Sequence, residues 1–185
     1  MAYLPIRRFI MPEVHFGPNS RALAGVQLQR LGVSRVLLVT DRGVMSQPWM
    51  DAIHRSLKAV NIQSVLYADV SPNPRDTEVR RGVIRYLREG CDGILAVGGG
   101  SPMDCAKAIG AMVTNNRDVL EFRGIDLIER SLPPMVFVPT TAGTASEVSQ
   151  FSIILDTQEK VKIAIVSRQI VPESLILPKS FFSFF

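Results

Sequence analysis

The sequence predicts an α/β fold: a Rossmann-like parallel β-sheet with helices on both faces. Two observations predict it. Short aliphatic and β-branched runs alternate along the chain with longer amphipathic stretches, which is the rhythm of βαβ units and of a parallel sheet covered on both faces. A triple glycine, Gly98 to Gly100, follows one of the apolar runs directly. We therefore expect one sheet-centred domain over residues 1–176, with a ligand-binding edge near the glycines.

The first part of the chain predicts two helices and two strands. Residues 20–31 have helical spacing and end at Gly32, a residue suited to a helix C-cap. Residues 35–41, RVLLVTD, predict a strand that is buried on both faces. Residues 49–60 place their apolar side chains on one helical stripe, and residues 64–70 predict the second strand.

The middle of the chain continues the alternation. A proline-punctuated turn at residues 71–76 precedes a helix over residues 77–89. Residues 93–97 predict a strand that runs into the glycines, and a helix is expected from residue 102 to about residue 113. Residues 135–138, MVFV, predict the fourth strand of the sheet.

Three segments depart from this rhythm. Residues 8–16, interrupted by Pro12, predict an added edge strand or a hairpin. Residues 152–155 and 162–166 flank a polar DTQEK segment and predict a β-hairpin appended to the sheet. Residues 177–185 end with four phenylalanines in five positions. Either this tail packs back on the core or, as we expect, the chain is truncated there and the tail is atypical.

Composition limits the function classes. The chain has 185 residues, of which 46% are hydrophobic and 21% charged, with a net charge of +4. The basic residues are scattered, so we expect no nucleic-acid partner. No apolar run approaches the roughly 20 residues of a membrane span, and the N-terminus has no signal-peptide pattern. We therefore expect no membrane partner, a cytoplasmic location, and two buried, reduced cysteines at Cys91 and Cys105.

The glycine run between a strand and a helix is the first candidate site. Three residues without a Cβ leave room for a ligand and let successive backbone N–H groups converge. The helix that follows presents its positive end, and Pro102 suits a first-turn position. Together these features predict a seat for a pyrophosphate. A tight turn that only requires small residues would have the same sequence, but Asp104 and Lys107 on the following helix favour a cofactor site, which needs polar groups nearby.

Asp41 closes the first strand of the predicted sheet. An acidic side chain there can accept hydrogen bonds from an adenosine ribose and repel a 2′-phosphate, which favours NAD over NADP. The same spacing fits an aspartate that caps a helix or a turn. The usual G-x-G-x-x-G fingerprint does not follow this strand, so the phosphate loop is expected after the third strand instead.

A second candidate loop, rich in hydroxyl groups, follows the fourth strand. Residues 140–149 read TTAGTASEVS, and such a loop can let a cofactor approach closely while it supplies hydroxyl donors. The spacing of Thr144 and Glu147 also fits a helix capping box.

These motifs together resemble a known family. GGGSPMDCAK at residues 98–107, PNP at residues 72–74 and PTTAGTASEVS at residues 139–149 look like the iron-containing, group III alcohol dehydrogenases, the family of lactaldehyde reductase and 1,3-propanediol dehydrogenase. The resemblance runs from the N-terminal strand to about Ile176. Ala145 stands where many members have glycine. The resemblance implies an NAD-dependent enzyme that transfers a hydride between NAD and a primary or secondary alcohol or an aldehyde, with assistance from a metal.

The resemblance also implies cofactor-binding roles for particular residues. Asp41 and Asn73 would contact the ribose and adenosine side. The pyrophosphate would be held by Gly98, Gly99, Gly100 and Ser101, with Asp104 nearby. The cofactor cleft would be lined by Thr140, Thr141, Thr144 and Ser149, and Lys162 on the hairpin would reach the nicotinamide ribose.

The metal and the catalytic residues are not expected in this chain. In the family an aspartate and three histidines of a second, all-helical domain bind the divalent metal, Fe²⁺ or Zn²⁺, and that domain follows a segment like residues 171–176 here. The chain has only His15 and His54, too few for that ligand set. We therefore expect the cofactor-binding portion of an alcohol dehydrogenase, inactive alone and able to form a homo-oligomer. The alternatives are a non-catalytic nucleotide-binding or dimerisation module, and a relative of glycerol dehydrogenase or dehydroquinate synthase.

Overall fold

A computed structural model of the chain describes residues 11–179. Its strands and α-helices alternate, as the sequence predicts. In chain order they are β1 Glu13–Gly17, α1 Ala24–Arg30, β2 Arg35–Val39, α2 Arg42–Met45, α3 Met50–Ala59, β3 Gln63–Tyr67, α4 Asp76–Arg88, β4 Gly93–Gly98, α5 Gly100–Asn115, β5 Gly124–Ile125, β6 Met135–Pro139, β7 Phe151–Asp156, β8 Val161–Val166 and β9 Ser174–Pro178. Short 3₁₀ turns lie at Ser20–Leu23, Val119–Phe122 and Arg168–Ile170.

Six strands form one parallel sheet in the order β1-β9-β6-β4-β2-β3. Every neighbouring pair is parallel, and β2 is hydrogen-bonded to β3 on one side and to β4 on the other. The carboxyl ends of these strands therefore meet at one edge of the sheet. The predicted Rossmann-like fold is confirmed.

Alternate side chains of each strand supply the two cores of the molecule. In β2, Val36 and Leu38 pack with α1 and α3 on one face, while Leu37 and Val39 pack with α4 and α5 on the other. All four side chains are fully buried. This is the period-two pattern of a strand covered on both sides, and it explains why RVLLV is apolar at every position after the arginine.

The chain changes face between β2 and β4. After β2 it passes to α3, which packs on the α1 side of the sheet, whereas after β4 it enters α5 on the opposite side. Two neighbouring parallel strands whose connections leave toward opposite faces open a crevice at their carboxyl ends. The fold thus brings residues 40–44 and 98–102 together at this crevice.

Three predictions about the sheet need correction. The hairpin of β7 and β8 forms as predicted, but with β5 it builds a separate three-stranded sheet and is not appended to the main one. β9, which was not predicted, lies between β1 and β6 and runs to Pro178, beyond the predicted domain end at residue 176. α5 begins at Gly100, two residues before its predicted start, so the glycines belong to the helix N-terminus itself.

The remaining expectations for the ends and the cysteines are met in part. β1 is an edge strand parallel to β9 and not a hairpin, while residues 8–10 and 180–185 lie outside the described part. Cys91 and Cys105 are buried and unpaired, as expected. Within residues 11–179, no helix combines the length and the apolar character needed to cross a membrane.

Candidate cofactor-binding site

A cleft of about 800 Å³ lies at the carboxyl edge of the main sheet, over the point where the chain changes face. Segments that follow β2, β3, β4 and β6 contribute its walls. The lining residues are Asp41, Arg42, Gly43, Val44, Ala68, Asp69, Val70, Ser71, Pro72, Glu78, Arg81, Gly99, Gly100, Ser101, Pro102, Thr140 and Thr141. Six of the twelve predicted cofactor residues are among them: Asp41, Gly99, Gly100, Ser101, Thr140 and Thr141.

The glycine loop has no room for side chains. Gly98 has a φ of +152°, and a Cβ on it would lie 2.7 Å from Cγ of Pro102. A Cβ on Gly99 would lie 2.9 Å from Oγ1 of Thr141, and one on Gly100 would lie 3.1 Å from Oγ of Ser146. Gly99 and Gly100 allow the loop after β6 to cross closely over the start of α5. They also leave the backbone N–H groups at the start of α5 open to an anion in the cleft.

The N-terminus of helix α5 contributes partial positive charge to the part of the cleft beside the glycine loop. The helix is 16 residues long and its N-cap is Gly99. The first N–H groups of a helix have no partner within the helix, and the helix dipole places partial positive charge there. The start of α5 would therefore stabilise an anionic group at this point of the cleft.

Asp41 has the geometry for both of the roles that the sequence left open to it. Its Oδ1 accepts a hydrogen bond of 2.9 Å from the N–H of Val44, so it caps the short helix α2. Its Oδ2 lies 3.4 Å from the place that a Cβ on Gly98 would occupy, so this second oxygen faces the glycine loop. The capping role is confirmed, and the ribose contact stays a prediction.

Asn73 lies beside the glycine loop, although it does not line the cleft. Its φ is +58°, the left-handed conformation that asparagine tolerates better than most residues. Its N–H donates a hydrogen bond of 3.3 Å to Oγ of Ser101. The PNP turn is thereby held against the first turn of α5.

The loop after β6 is irregular, and the helical capping box predicted there is wrong. Residues 146–148 form a turn without a following helix. Oγ1 of Thr144 accepts a hydrogen bond of 3.3 Å from the N–H of Ser146, while the Thr144 methyl group would lie 3.1 Å from a Cβ on Gly100. Ala145 has a φ of +53°, which accounts for the glycine that many family members carry at this position.

Asp104 and Ser149 do not line the cleft. Both take part in hydrogen bonds that hold the segment after β6 against α5. Oδ2 of Asp104 accepts a hydrogen bond of 3.2 Å from the N–H of Ile153, the second residue after the start of the hairpin. Burial raises the pKa of the Asp104 carboxyl to about 6, while the charge of Lys107 and hydrogen bonds from Ile153 and Ser146 act to lower it. The carbonyl of Ser149 accepts a hydrogen bond of 2.8 Å from Nζ of Lys107.

Lys107 does not offer a polar group to a cofactor, contrary to the sequence interpretation. Its side chain is fully buried, and its Nζ is occupied by carbonyl groups of residues 146–151. Burial lowers the pKa of this ammonium to about 8, while the charges of Asp104 and Glu147 act to raise it.

Lys162 is exposed and stands on β8, opposite Leu155 of β7. The N–H of Leu155 donates a hydrogen bond of 2.8 Å to the carbonyl of Pro74, so the hairpin is fastened to the PNP turn beside the cleft. Lys162 itself is not among the cleft residues. Its contact with a nicotinamide ribose stays a prediction.

Several charged cleft residues were missed by the sequence interpretation. Arg42 and Asp69 form an exposed ion pair of 3.1 Å at the cleft. Glu78 accepts hydrogen bonds of 3.0 and 3.4 Å from the N–H groups of Arg75 and Ser71, which fixes the turn before α4. A glutamate at the third position of a helix commonly reaches back in this way, so the spacing of Glu78 in the sequence could have identified its role.

The described residues do not fit the family's metal. His15 lies on β1 and His54 on α3, and residues 11–179 hold no group of three or more histidine, cysteine, aspartate or glutamate side chains placed to bind a metal ion.

Known proteins are similar to this chain over nearly all of its described residues. A family model described as iron-containing alcohol dehydrogenase matches residues 12–178. The 1,3-propanediol dehydrogenase of Klebsiella pneumoniae is 42% identical over 167 residues, which are 89% of this chain and 43% of that enzyme.

Solved structures agree with this similarity. A crystal structure of 1,3-propanediol oxidoreductase matches with a TM-score of 0.91 at 40% identity, over 94% of this chain and 46% of that one. Sulfoacetaldehyde reductase from Bifidobacterium kashiwanohense, in complex with NAD⁺, matches with a TM-score of 0.79 at 25% identity, over 97% of this chain and 48% of that one. The chain spans less than half the length of these relatives.

Proposed function

The chain belongs to the iron-containing alcohol dehydrogenase family, and from that premise we propose that it is the NAD-binding portion of an alcohol dehydrogenase. One observation carries the proposal: a glycine loop at the N-terminus of a long helix faces an acidic strand end and a hydroxyl-rich loop across one cleft. This combination offers a positive seat for a pyrophosphate and a hydrogen-bond acceptor for a ribose.

Each part of the cofactor has a matching part of the cleft. The pyrophosphate would lie on Gly99, Gly100 and Ser101, where open N–H groups and the helix dipole favour negative charge. The adenosine ribose would lie toward Asp41, whose Oδ2 faces the glycine loop. The nicotinamide side would lie under the loop after β6, near Thr140 and Thr141 and in the direction of Lys162.

The reaction is proposed from the family and not from a described catalytic residue. NAD, when bound, accepts a hydride from the alcohol carbon or, as NADH, returns it to an aldehyde or ketone. The described residues would bind and orient the cofactor, but none of them is assigned to proton transfer. We propose small alcohols and aldehydes as substrates of the whole enzyme and negligible turnover for this chain alone.

Titration calorimetry with NAD and NADP tests the proposal. We expect saturable binding of NAD and weaker binding of NADP, because Asp41 would repel a 2′-phosphate. A turnover assay with ferrous ion and short alcohols accompanies it. A folded chain that binds neither nucleotide would contradict the proposal, and ordinary turnover would contradict the expectation that the chain is inactive alone.

A further inference from the structure

A buried lysine holds the loop over the glycine seat. Nζ of Lys107 donates hydrogen bonds to the carbonyl oxygens of Ser146 at 2.6 Å, Ser149 at 2.8 Å and Phe151 at 2.8 Å. A longer contact of 3.4 Å joins Nζ to Oγ of Ser149. The three shorter bonds match the three donors of one ammonium group. Their acceptors are spread over six consecutive residues, so a single side chain fixes the course of the loop from its turn to the start of β7.

Asp104 fastens the next residues to the same helix. It stands three residues before Lys107 on α5, and its backbone carbonyl accepts a hydrogen bond of 2.8 Å from Oγ of Ser152. Its carboxylate accepts the N–H of Ile153 at 3.2 Å. Residues 146–153 are therefore attached to one face of α5 by residues at two successive turns.

The helix that carries these attachments also carries the glycine seat. α5 begins at Gly100, and the loop passes so closely over it that a Cβ on Gly100 would lie 3.1 Å from Oγ of Ser146. The carbonyl of Ser146 is one of the three acceptors of Lys107. The lysine ammonium therefore holds the later residues of this loop against the start of α5, close to Thr140 and Thr141, which line the cleft from the beginning of the same loop.

A charged side chain loses its hydration when it fills this buried space, which costs free energy. Burial of an ammonium disfavours its charged form, and a methionine could occupy the same volume without that cost. What a methionine could not do is draw three carbonyl groups toward one point. The charge therefore points to a requirement on loop position and not merely to core packing.

We propose that Lys107 is a positioning residue of the cofactor cleft: by holding residues 146–151 it keeps Thr140 and Thr141, at the start of the same loop, in the position that NAD requires. The proposal rests on the proposed function, since the loop must face NAD. Lys107 does not touch the cofactor. It acts through the loop, by keeping the binding-competent arrangement populated before NAD arrives.

The test compares Lys107→Met with Lys107→Arg and with a destabilised control on the other face of the sheet. Leu28→Ala is that control, because Leu28 is fully buried in the core that α1 and α3 form, on the face of the sheet opposite α5. NAD affinity is measured by calorimetry, and hydrogen exchange is followed by mass spectrometry over residues 141–153.

We expect Lys107→Met to weaken NAD binding about tenfold or more, since the competent loop would then be a minor state. Exchange should rise over residues 141–153 and not over α1 and α3. Lys107→Arg should recover part of both properties because it keeps the charge and the donors. Leu28→Ala should lower the melting temperature while it leaves NAD affinity within about twofold of the original value.

Other results would overturn the proposal. Lys107→Met with unchanged NAD affinity, or Leu28→Ala with an equal loss, would show that the lysine has no specific effect on the cleft. If the unmodified chain fails to bind NAD, the proposed function fails. The exchange measurement then tests Lys107 alone, and exchange over residues 141–153 that is the same in Lys107→Met as in the original chain would refute positioning by Lys107. If Lys107→Met does not fold, Lys107→Gln replaces it, and equal NAD affinities for Lys, Arg and Gln would overturn the proposal.

Discussion

The two loops that face each other across the cleft are held in place by different means. The glycine loop between β4 and α5 is fixed by backbone groups: a buried strand ends, a helix begins at Gly100, and the carbonyl of Gly98 accepts a hydrogen bond of 2.9 Å from the N–H of Thr140, the residue that follows β6. The loop after β6 is fixed from outside, by Lys107 and Asp104 of a helix that lies far away in sequence.

The two loops should therefore respond to different substitutions and conditions. A loop built from backbone should be sensitive to added volume and indifferent to pH. A loop held by buried ionisable side chains should be sensitive to pH and to the loss of single polar atoms. Substitutions in the two loops and in the residues that hold them distinguish these two behaviours.

Added volume in the glycine loop should have the largest effect. Gly100→Val should abolish measurable NAD binding, because its Cβ alone would already lie 3.1 Å from Oγ of Ser146 and the branches would fill the seat. Calorimetry measures the affinity, and circular dichroism checks that the variant folds. Thr114→Ala, at the opposite end of the same helix, should bind NAD like the original chain. A Gly100→Val variant that still binds NAD would place the pyrophosphate elsewhere.

Asp104 should make stability depend on pH. Its folded pKa of about 6 lies above the ordinary value of 3.8, so between these two values the folded state binds more protons than the unfolded state. The free energy of unfolding of the original chain, relative to Asp104→Asn, should therefore fall as pH rises from about 4 to about 6 and stay constant above about 7. The expected change is about 3 kcal/mol.

Urea denaturation of both proteins at several pH values measures this difference. The Asp104→Asn substitution is not expected to disturb the fold, since the amide oxygen of the new side chain can still accept the N–H of Ile153. Glu159→Gln, at an exposed position in the turn between β7 and β8, serves as a control for removal of a carboxylate. A difference that is independent of pH would mean that Asp104 is not buried as described.

Asp41 should determine the choice between NAD and NADP with a smaller effect. Asp41→Asn retains an oxygen to cap Val44 but removes the charge. We expect the ratio of NADP to NAD dissociation constants to fall about tenfold, because repulsion of the 2′-phosphate is lost. Asp51→Asn, an exposed carboxylate on α3, should leave the ratio unchanged. An unchanged ratio in Asp41→Asn would remove Asp41 from the adenosine side of the site.

Ala145 should give the smallest effect. Its φ of +53° is strained for any residue with a Cβ, so Ala145→Gly should raise the free energy of unfolding by roughly 0.5 to 1 kcal/mol. Thermal denaturation measures the change. Ala59→Gly, at the exposed end of α3, should instead lower stability. Equal losses from both substitutions would show that the backbone at Ala145 is not in the left-handed conformation.

The same contrast explains what the sequence could and could not predict. The glycine loop was predictable because its signal is local: an apolar run, three glycines and a helical pattern follow each other directly. The role of Lys107 was not, because residues 102–111 of α5 are buried around the whole helix. A helix without a solvent face gives no pattern that tells a cofactor ligand from a buried loop anchor.

Two further differences between the sequence predictions and the structure have similar causes. β9 reads as a connecting segment, and it becomes a strand because β1 and β6, both distant from it in sequence, pair with it from both sides. The spacing of Thr144 and Glu147 satisfies the capping-box pattern, but no apolar helical repeat follows it, and the chain turns into β7 instead.

Hydrogen exchange of the chain with and without saturating NAD tests directly whether the segments after β2, β4 and β6 form one NAD-binding site. We predict slower exchange at residues 41–44, 98–102 and 140–146 together, and no change in α1 or α3. Protection confined to other parts of the described chain, or bound NAD without protection of residues 98–102, would contradict a single NAD-binding site there.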